Sequence, residues 1–197
     1  FIPVRDRVYS QGQYPASVWD RYLGVFDSIT VIGRQGCMSP DQSVERLALS
    51  SHPRVRFVLA PDLSSLRFWH AARREAARII DAALEEADGL IARLPSELGY
   101  LAIRLAKRRG MPWALELVGC AWDGLWNYGS ILAKLYAPVR YCKTRRAVAE
   151  APFVLYVTEQ FLQGRYPNHV GVTVACSNVE IDEPRQDVLK RRLARIR

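Results

Sequence analysis

The side chains best suited to chemistry in this sequence are isolated polar groups set at the ends of apolar runs. Glu116 stands in Trp113-Ala114-Leu115-Glu116-Leu117-Val118-Gly119, near the end of a run that is otherwise apolar. A carboxylate buried there without compensation costs several kcal/mol, so it must either pair with a nearby arginine or face a crevice. Ala121-Trp122-Asp123-Gly124 follows at once and adds an indole that can stack on a sugar face or cover the end of a sheet. Arg93-Leu94-Pro95-Ser96 and Ile32-Gly33-Arg34 each put an arginine at or just after the end of another apolar run. Such a guanidinium suits a pyrophosphate or a structural salt bridge equally well. Residues 9–19 form a polar loop, with Gly12 and Gln13 at its centre, that runs into a helical pattern. Amides at a helix start and a glycine allowing close backbone approach suit a phosphate, although an ordinary turn has the same composition.

Short apolar runs alternating with longer helical patterns would position these groups. The runs at 29–33, 55–60, 89–94, 113–118, 153–157 and 172–176 have the length of buried strands. Helical spacing is predicted over 17–26, through Val18, Tyr22 and Val25/Phe26, and over 66–87, through Trp69, Ala72, Ala76, Ile79/Ile80 and Ala83. Ser96 is placed to cap a helix that runs to Arg109 and stops at Gly110 and Pro112. Further helices are expected over 131–150, interrupted by Pro138, over 159–166, and over 183–197 with Asp182 as cap. The alternation predicts an α/β fold, a Rossmann-like three-layer domain around a mostly parallel sheet. No repeat or linker divides the chain, and its last helix ends in KRRLARIR without a stop signal, as though cut at a domain boundary.

Composition removes several classes of function. With 49% hydrophobic residues the chain can fill one core, but its apolar runs are far short of the roughly 20 residues that span a bilayer. No basic segment followed by an apolar stretch marks a secretory signal at the start. Cys37, Cys120, Cys142 and Cys176 form no CxxC pair, and His52, His70 and His169 share no ligand spacing; this predicts reduced thiols in a cytoplasmic protein and no metal site. GxxxxGK[ST], GxSxG, HExxH and Asp-x-Asp are all absent. The net charge of +8 calls for an anionic partner. Lys107-Arg108-Arg109, Arg140, Lys143, Arg145 and Arg146, with Tyr136 and Tyr141, form either a face for an anionic membrane or a solvated helix surface. A non-catalytic domain that binds nucleic acid or another anion is the alternative reading of the same charge.

Taken together, YSQGQYPASVWDRYLGVFDSITVIGR (9–34), ARLPSELGYLAIRLAKRRGMPWALELVG (92–119), YVTEQFLQGRYP (156–167) and CSNVEI (176–181) resemble the amino-terminal domain of bacterial GT-B glycosyltransferases. The resemblance is to the capsular and exopolysaccharide family, glycosyltransferase family 4-like. It implies one half of a GT-B fold, with residues 1–181 as the acceptor-side domain and 182–197 as a basic helix leading toward a second domain. It also implies that Gly12 and Gln13 face donor phosphates, that Arg93, Ser96, Glu116 and Trp122 line the acceptor side, and that Thr158 and Asn178 lie near the cleft. The implied partners are a nucleotide-sugar donor, held mainly by the second domain, and a lipid-linked or saccharide acceptor, with a possible peripheral contact to anionic membrane. No cofactor, metal or nucleic acid is expected. The resemblance further implies transfer with retention at the anomeric carbon, and a chain inactive by itself. Where the family has its first strand ahead of the glycine loop, only residues 1–4 stand.

Overall fold

In a computed structural model of the chain, residues 1–12, 14–38, 43–63, 69–128, 130–177 and 186–195 are described. The chain begins with β1 (Ile2–Val4) and β2 (Arg7–Ser10), then passes through a 3-10 turn (Ala16–Trp19) into α1 (Asp20–Leu23) and β3 (Ile29–Arg34). Next come β4 (Ala48–Leu49), β5 (Val55–Ala60), α2 (Trp69–Glu85), β6 (Leu90–Leu94), α3 (Glu97–Arg109) and β7 (Trp113–Leu117). The chain continues through α4 (Ala121–Trp126), α5 (Ile131–Ala149), β8 (Phe153–Tyr156), α6 (Phe161–Arg165), β9 (Val172–Ala175) and α7 (Gln186–Arg195).

The α/β class with mostly parallel strands is borne out, and each run read as a strand is one, to within a residue at its ends. The parallel strands divide into two sheets. β3 pairs with β5, Ile29 opposite Val55 through Arg34 opposite Ala60. β6, β7, β8 and β9 pair in that order. Between β3 and β6 the chain leaves a cleft of about 1100 Å³, lined along one wall by Thr30, Ile32 and Arg34 and along the other by Leu90, Ala92 and Arg93. After β5 the chain crosses back through α2 to the other side of β3, so the cleft lies where the strand order reverses.

The main core gathers Ile80 of α2, Leu101 and Ala106 of α3, Leu94, Leu115, Leu117 and Tyr156 of the second sheet, and Leu162 of α6. A smaller core of Trp19, Leu23 and Val55 sits at the β3–β5 sheet, with Phe1 and Phe57 packed against it. Where only residues 1–4 stood in place of a first strand, β1 and β2 form an antiparallel pair extended by β4, with Tyr9 opposite both Ile2 and Leu49.

Among the helices, α3 matches its sequence signals at both ends. The Ser96 hydroxyl accepts from the Gly99 amide at 3.2 Å, and Gly110 closes the helix in the left-handed conformation at φ 66. A methyl group on Gly99 would stand 2.6 Å from the Arg93 carbonyl oxygen, so only glycine lets the end of β6 lie this close to the start of α3. The helix expected over 17–26 is shorter: it ends at Leu23, and Val25 and Phe26 are exposed rather than packed on the sheet. A helical periodicity cannot reveal that Gly24 and the polar Asp27-Ser28 pair end the segment early. Pro138 does not interrupt α5, which runs through it. The proline is exposed, so the carbonyl it cannot serve stays within reach of water, and Ala137, Thr144 and Val148 hold the helix down on both sides. Of the terminal helix, 186–195 is helical, and the Asp182 cap lies outside the described residues.

Glu97, in the first turn of α3, ties that helix to α5 by contacts with Arg140 and with Lys143 at 2.9 Å. Burial opposes its ionisation, but the two cations outweigh burial and hold its pKa below the ordinary carboxylate value. A carboxyl depressed on folding adds stability above its unfolded pKa and loses it as pH falls through its folded pKa. Urea unfolding of wild type and Glu97→Gln is therefore expected to show a stability gap at pH 7 that narrows once pH drops below about 4.3, the ordinary glutamate value, and closes in stronger acid.

Candidate functional site

At the carboxyl ends of β6 and β7, Arg93 and Glu116 are register partners on neighbouring strands. Glu116 is buried at 5% exposure, and its carboxylate is a hub. The Tyr22 hydroxyl donates to Oε1 at 2.6 Å, Arg93 Nε lies 3.2 Å from Oε2, and Arg21 approaches Oε1 at 3.7 Å. Arg21 in turn donates to the Tyr22 hydroxyl at 2.5 Å. Burial and the hydrogen bond to Glu116 push the Tyr22 phenol up to about 12, which keeps it a proton donor toward the carboxylate. The buried Arg93 Nε has no aligned hydrogen-bond acceptor, so its contact with Glu116 is an ion pair; its guanidinium lies 5.2 Å from the centre of the Tyr14 ring.

Local structure explains how these residues converge. Glu116 and Arg93 project from strands that sequence alternation buries. Tyr22 and Arg21 come from α1, which the Trp19–Leu23–Val55 cluster holds on the other sheet. The hub therefore straps one parallel sheet to the other at the mouth of the cleft, where Tyr14, Tyr22, Arg93 and Ser96 all contribute to its wall. Of the two readings of Glu116 open in the sequence, the structure shows the pairing with an arginine; its partners Arg93 and Tyr22 line the cleft, and Glu116 itself is buried behind them. Sequence reasoning missed Arg21 and Tyr22. Tyr22 counted only as an apolar position in a helical stripe, although a half-buried phenol needs a hydrogen-bond partner and so carried the signal.

The other predicted residues divide among different places. Gly12 adopts φ 91 with open space around its Cα, consistent with a loop that can approach a ligand, and Gln13 lies outside the described residues. The Ser96 hydroxyl is spent on its helix cap but faces the cleft. The Thr158 hydroxyl accepts from the Leu162 amide at 3.0 Å and donates to Gln163 at 3.0 Å, a local cap for α6. Asn178 lies outside the described residues. Arg34 pairs with Asp62 at 3.6 Å and also lines the cleft.

Trp122 lines a second, shallower cleft of about 560 Å³ with Tyr141, Phe161 and Arg165. Its ring stacks on Trp126 at 5.3 Å and meets Tyr141 edge-on at 6.1 Å. Arg165 pairs with Asp123 at 3.3 Å on the same rim. The start of α4 is fixed by Tyr166, whose hydroxyl accepts from the Ala121 amide at 3.0 Å. Apolar ring faces next to an ion pair can hold a sugar, whose C–H face stacks while its hydroxyls bond to charged groups.

The basic clusters read as either a face for an anionic membrane or a solvated helix surface are largely engaged with carboxylates. Lys107 meets Glu150 at 2.5 Å, Arg109 meets Asp81 and Glu85 at 2.8 and 3.0 Å, and Arg146 meets Glu150 at 2.8 Å. Arg140 and Lys143 are bound to Glu97. Tyr141 is half-buried against Tyr166. All four cysteines are free. Among the described residues no group of His, Cys, Asp or Glu is placed to hold a metal ion, and no helix is long and apolar enough to cross a membrane.

No protein-family model matches the chain. It is similar to Protein CapJ of Staphylococcus aureus, 31% identical over 180 residues that cover 89% of this chain and 44% of CapJ. The chain thus spans less than half the length of that relative. Among solved structures it is similar to a UGT transferase from Siraitia grosvenorii in complex with UDP, at 15% identity and a TM-score of 0.40, over 71% of this chain and 40% of that one.

Proposed function

We propose that the chain is the acceptor-side half of a two-domain GT-B glycosyltransferase that takes a sugar from a nucleotide donor. In this reading residues 1–181 belong to this domain, and the basic segment 182–197, within which Gln186–Arg195 is helical, leads toward the domain that holds the nucleotide. The observation that carries the reading is the cleft between β3 and β6, with the Arg93–Glu116–Tyr22 hub at its mouth. Ligands of open parallel α/β sheets bind beyond the strand carboxyl ends where the strand order reverses. A carboxylate and guanidiniums gathered there suit the hydroxyls and phosphate of a saccharide or lipid-linked acceptor.

In this reading Arg93 and Glu116 orient the acceptor, Ser96 and Thr158 set the local backbone, and the loop around Gly12 and Gln13 approaches the donor phosphates. Trp122 stacks on a more distant sugar. The reaction proceeds without metal or cofactor and with retention at the anomeric carbon, at a membrane face where a lipid-linked acceptor is displayed. In the complete enzyme, Arg93→Gln and Trp122→Ala are each expected to raise the acceptor KM about tenfold, the effect of one lost charged or stacking contact. The donor KM should be unchanged. An equal rise in the donor KM would overturn the assignment of this half to the acceptor.

A further inference from the structure

Two short helices leave between them a cleft that their own packing does not explain. α6 carries Phe161, Gly164 and Arg165 at spacings of three and four, so the three share one face. With Trp122 of α4 and Tyr141 of α5, that face lines the shallower cleft of about 560 Å³. Leu162 is the residue that α6 buries, whereas Phe161 stays 53% exposed. Gly164 stands inside the helix, where glycine is less stable than alanine. Its φ is not positive, and nothing lies within 4 Å of the place a Cβ would take, so neither the backbone nor the packing requires glycine there. What the missing side chain does is leave the cleft open.

We propose that this cleft selects a neutral pyranose unit of a glycan acceptor and holds it behind the sugar that reacts. This rests on the reading of the Arg93–Glu116 hub as the place of the reacting sugar. The exposed Phe161 ring suits the C–H side of a pyranose, and Trp122 is a firm floor, stacked on Trp126 and edge-on to Tyr141. The Arg165 guanidinium lies 6.0 Å from the ring centres of both Tyr141 and Phe161. It meets Asp123 at 3.3 Å, with both side chains partly in water, and its Nε is buried without a hydrogen-bond partner among the described residues. A guanidinium has five donors and a carboxylate about four acceptor sites, so one such contact leaves both able to bind neighbouring hydroxyls. Charge then decides between sugar classes. The pair is neutral as a whole, and a sugar carboxylate drawn to Arg165 would stand beside Asp123, a like charge that disfavours it. Position decides between units of the acceptor. Trp122 follows Glu116 by six residues, which puts it within roughly 20 Å of the hub, but on α4 rather than on the ends of β6 and β7. The unit held here is therefore a further sugar of the chain whose end the hub orients.

Calorimetry on the full-length protein tests the site with no donor present and no transfer required. The probes are neutral tetrasaccharides of glucose, of mannose and of galactose, with tetragalacturonic acid as the acidic counterpart. At least one neutral probe is expected to bind, and about tenfold or more tighter than the acid, since a like charge set against Asp123 costs at least that much. Gly164→Ala should weaken the neutral probe about tenfold while raising the thermal midpoint, because alanine is the better helix former. Asp123→Asn should narrow the gap between the neutral and acidic probes, a change that a merely structural aspartate would not produce. Failure of every neutral probe to bind wild type, equal binding of the acid, or a Gly164→Ala variant that binds as well as wild type would overturn the inference. Neutral-probe binding of the expected pattern in a protein that transfers no sugar would uphold the site and count against the transferase reading alone.

Discussion

Glu116→Ala is expected to destabilise the chain by about 3 kcal/mol, because it opens a buried ion pair from one side. Removing the carboxylate leaves the Tyr22 hydroxyl without its acceptor and Arg93 Nε, already without an aligned partner, without its counter-charge. The cost sits at the low end for such a change because the Arg93 and Arg21 side chains keep 28% and 44% exposure and can recover some water. Glu116→Gln should cost less, since its amide oxygen can still accept from Tyr22. Urea unfolding of the two variants checks both values, and an alanine effect below about 1 kcal/mol would mean that the hub is not a strap between the sheets.

Trp19→Ala is expected to cost more, about 3–5 kcal/mol, the range for truncating a buried aromatic. Trp19 is 5% exposed and stands at the centre of the small core, stacked on Tyr14 at 6.1 Å and edge-on to Phe57 at 5.7 Å. Its indole N–H donates to the Ser50 carbonyl at 2.8 Å, and the Ser50 hydroxyl donates to the Tyr14 carbonyl at 2.5 Å. Truncation therefore opens a cavity and loosens the turn that presents Tyr14 and Tyr22 to the hub. Trp19→Phe, which keeps most of the volume and loses the hydrogen bond, should cost about 1–2 kcal/mol. Denaturant midpoints with unchanged slopes would identify both as losses of native-state stability.

These two residues also mark how far the sequence could be read. Glu116 was legible because a charge inside an apolar run is conspicuous and must be compensated. Its partner Arg93 was legible as a strand-end cation, though not as the neighbour of Glu116, since pairing between β6 and β7 leaves no trace in either segment alone. β5 and α3 were readable to their ends: β5 is a short run apolar except for Arg56, and α3 carries a serine cap and a glycine stop. The antiparallel sheet was not readable, because β1, β2 and β4 are 3, 4 and 2 residues long, too short for alternation to register. Nor could the sequence reveal that the parallel strands separate between β3 and β6. Burial drives apolar runs into strands, but which edges meet is decided by the crossovers. The basic clusters of α3 and α5 suggested a charged face, whereas most of their cations face carboxylates on neighbouring helices; only tertiary packing reveals that cancellation.

The most direct test of the central claim is sugar transfer from a panel of nucleotide donors to saccharide and lipid-linked acceptors, measured side by side for the full-length protein and for residues 1–197 alone. The account predicts transfer by the full-length protein with at least one donor and none by the shorter chain. Transfer by residues 1–197 at the rate of the full-length protein would contradict it.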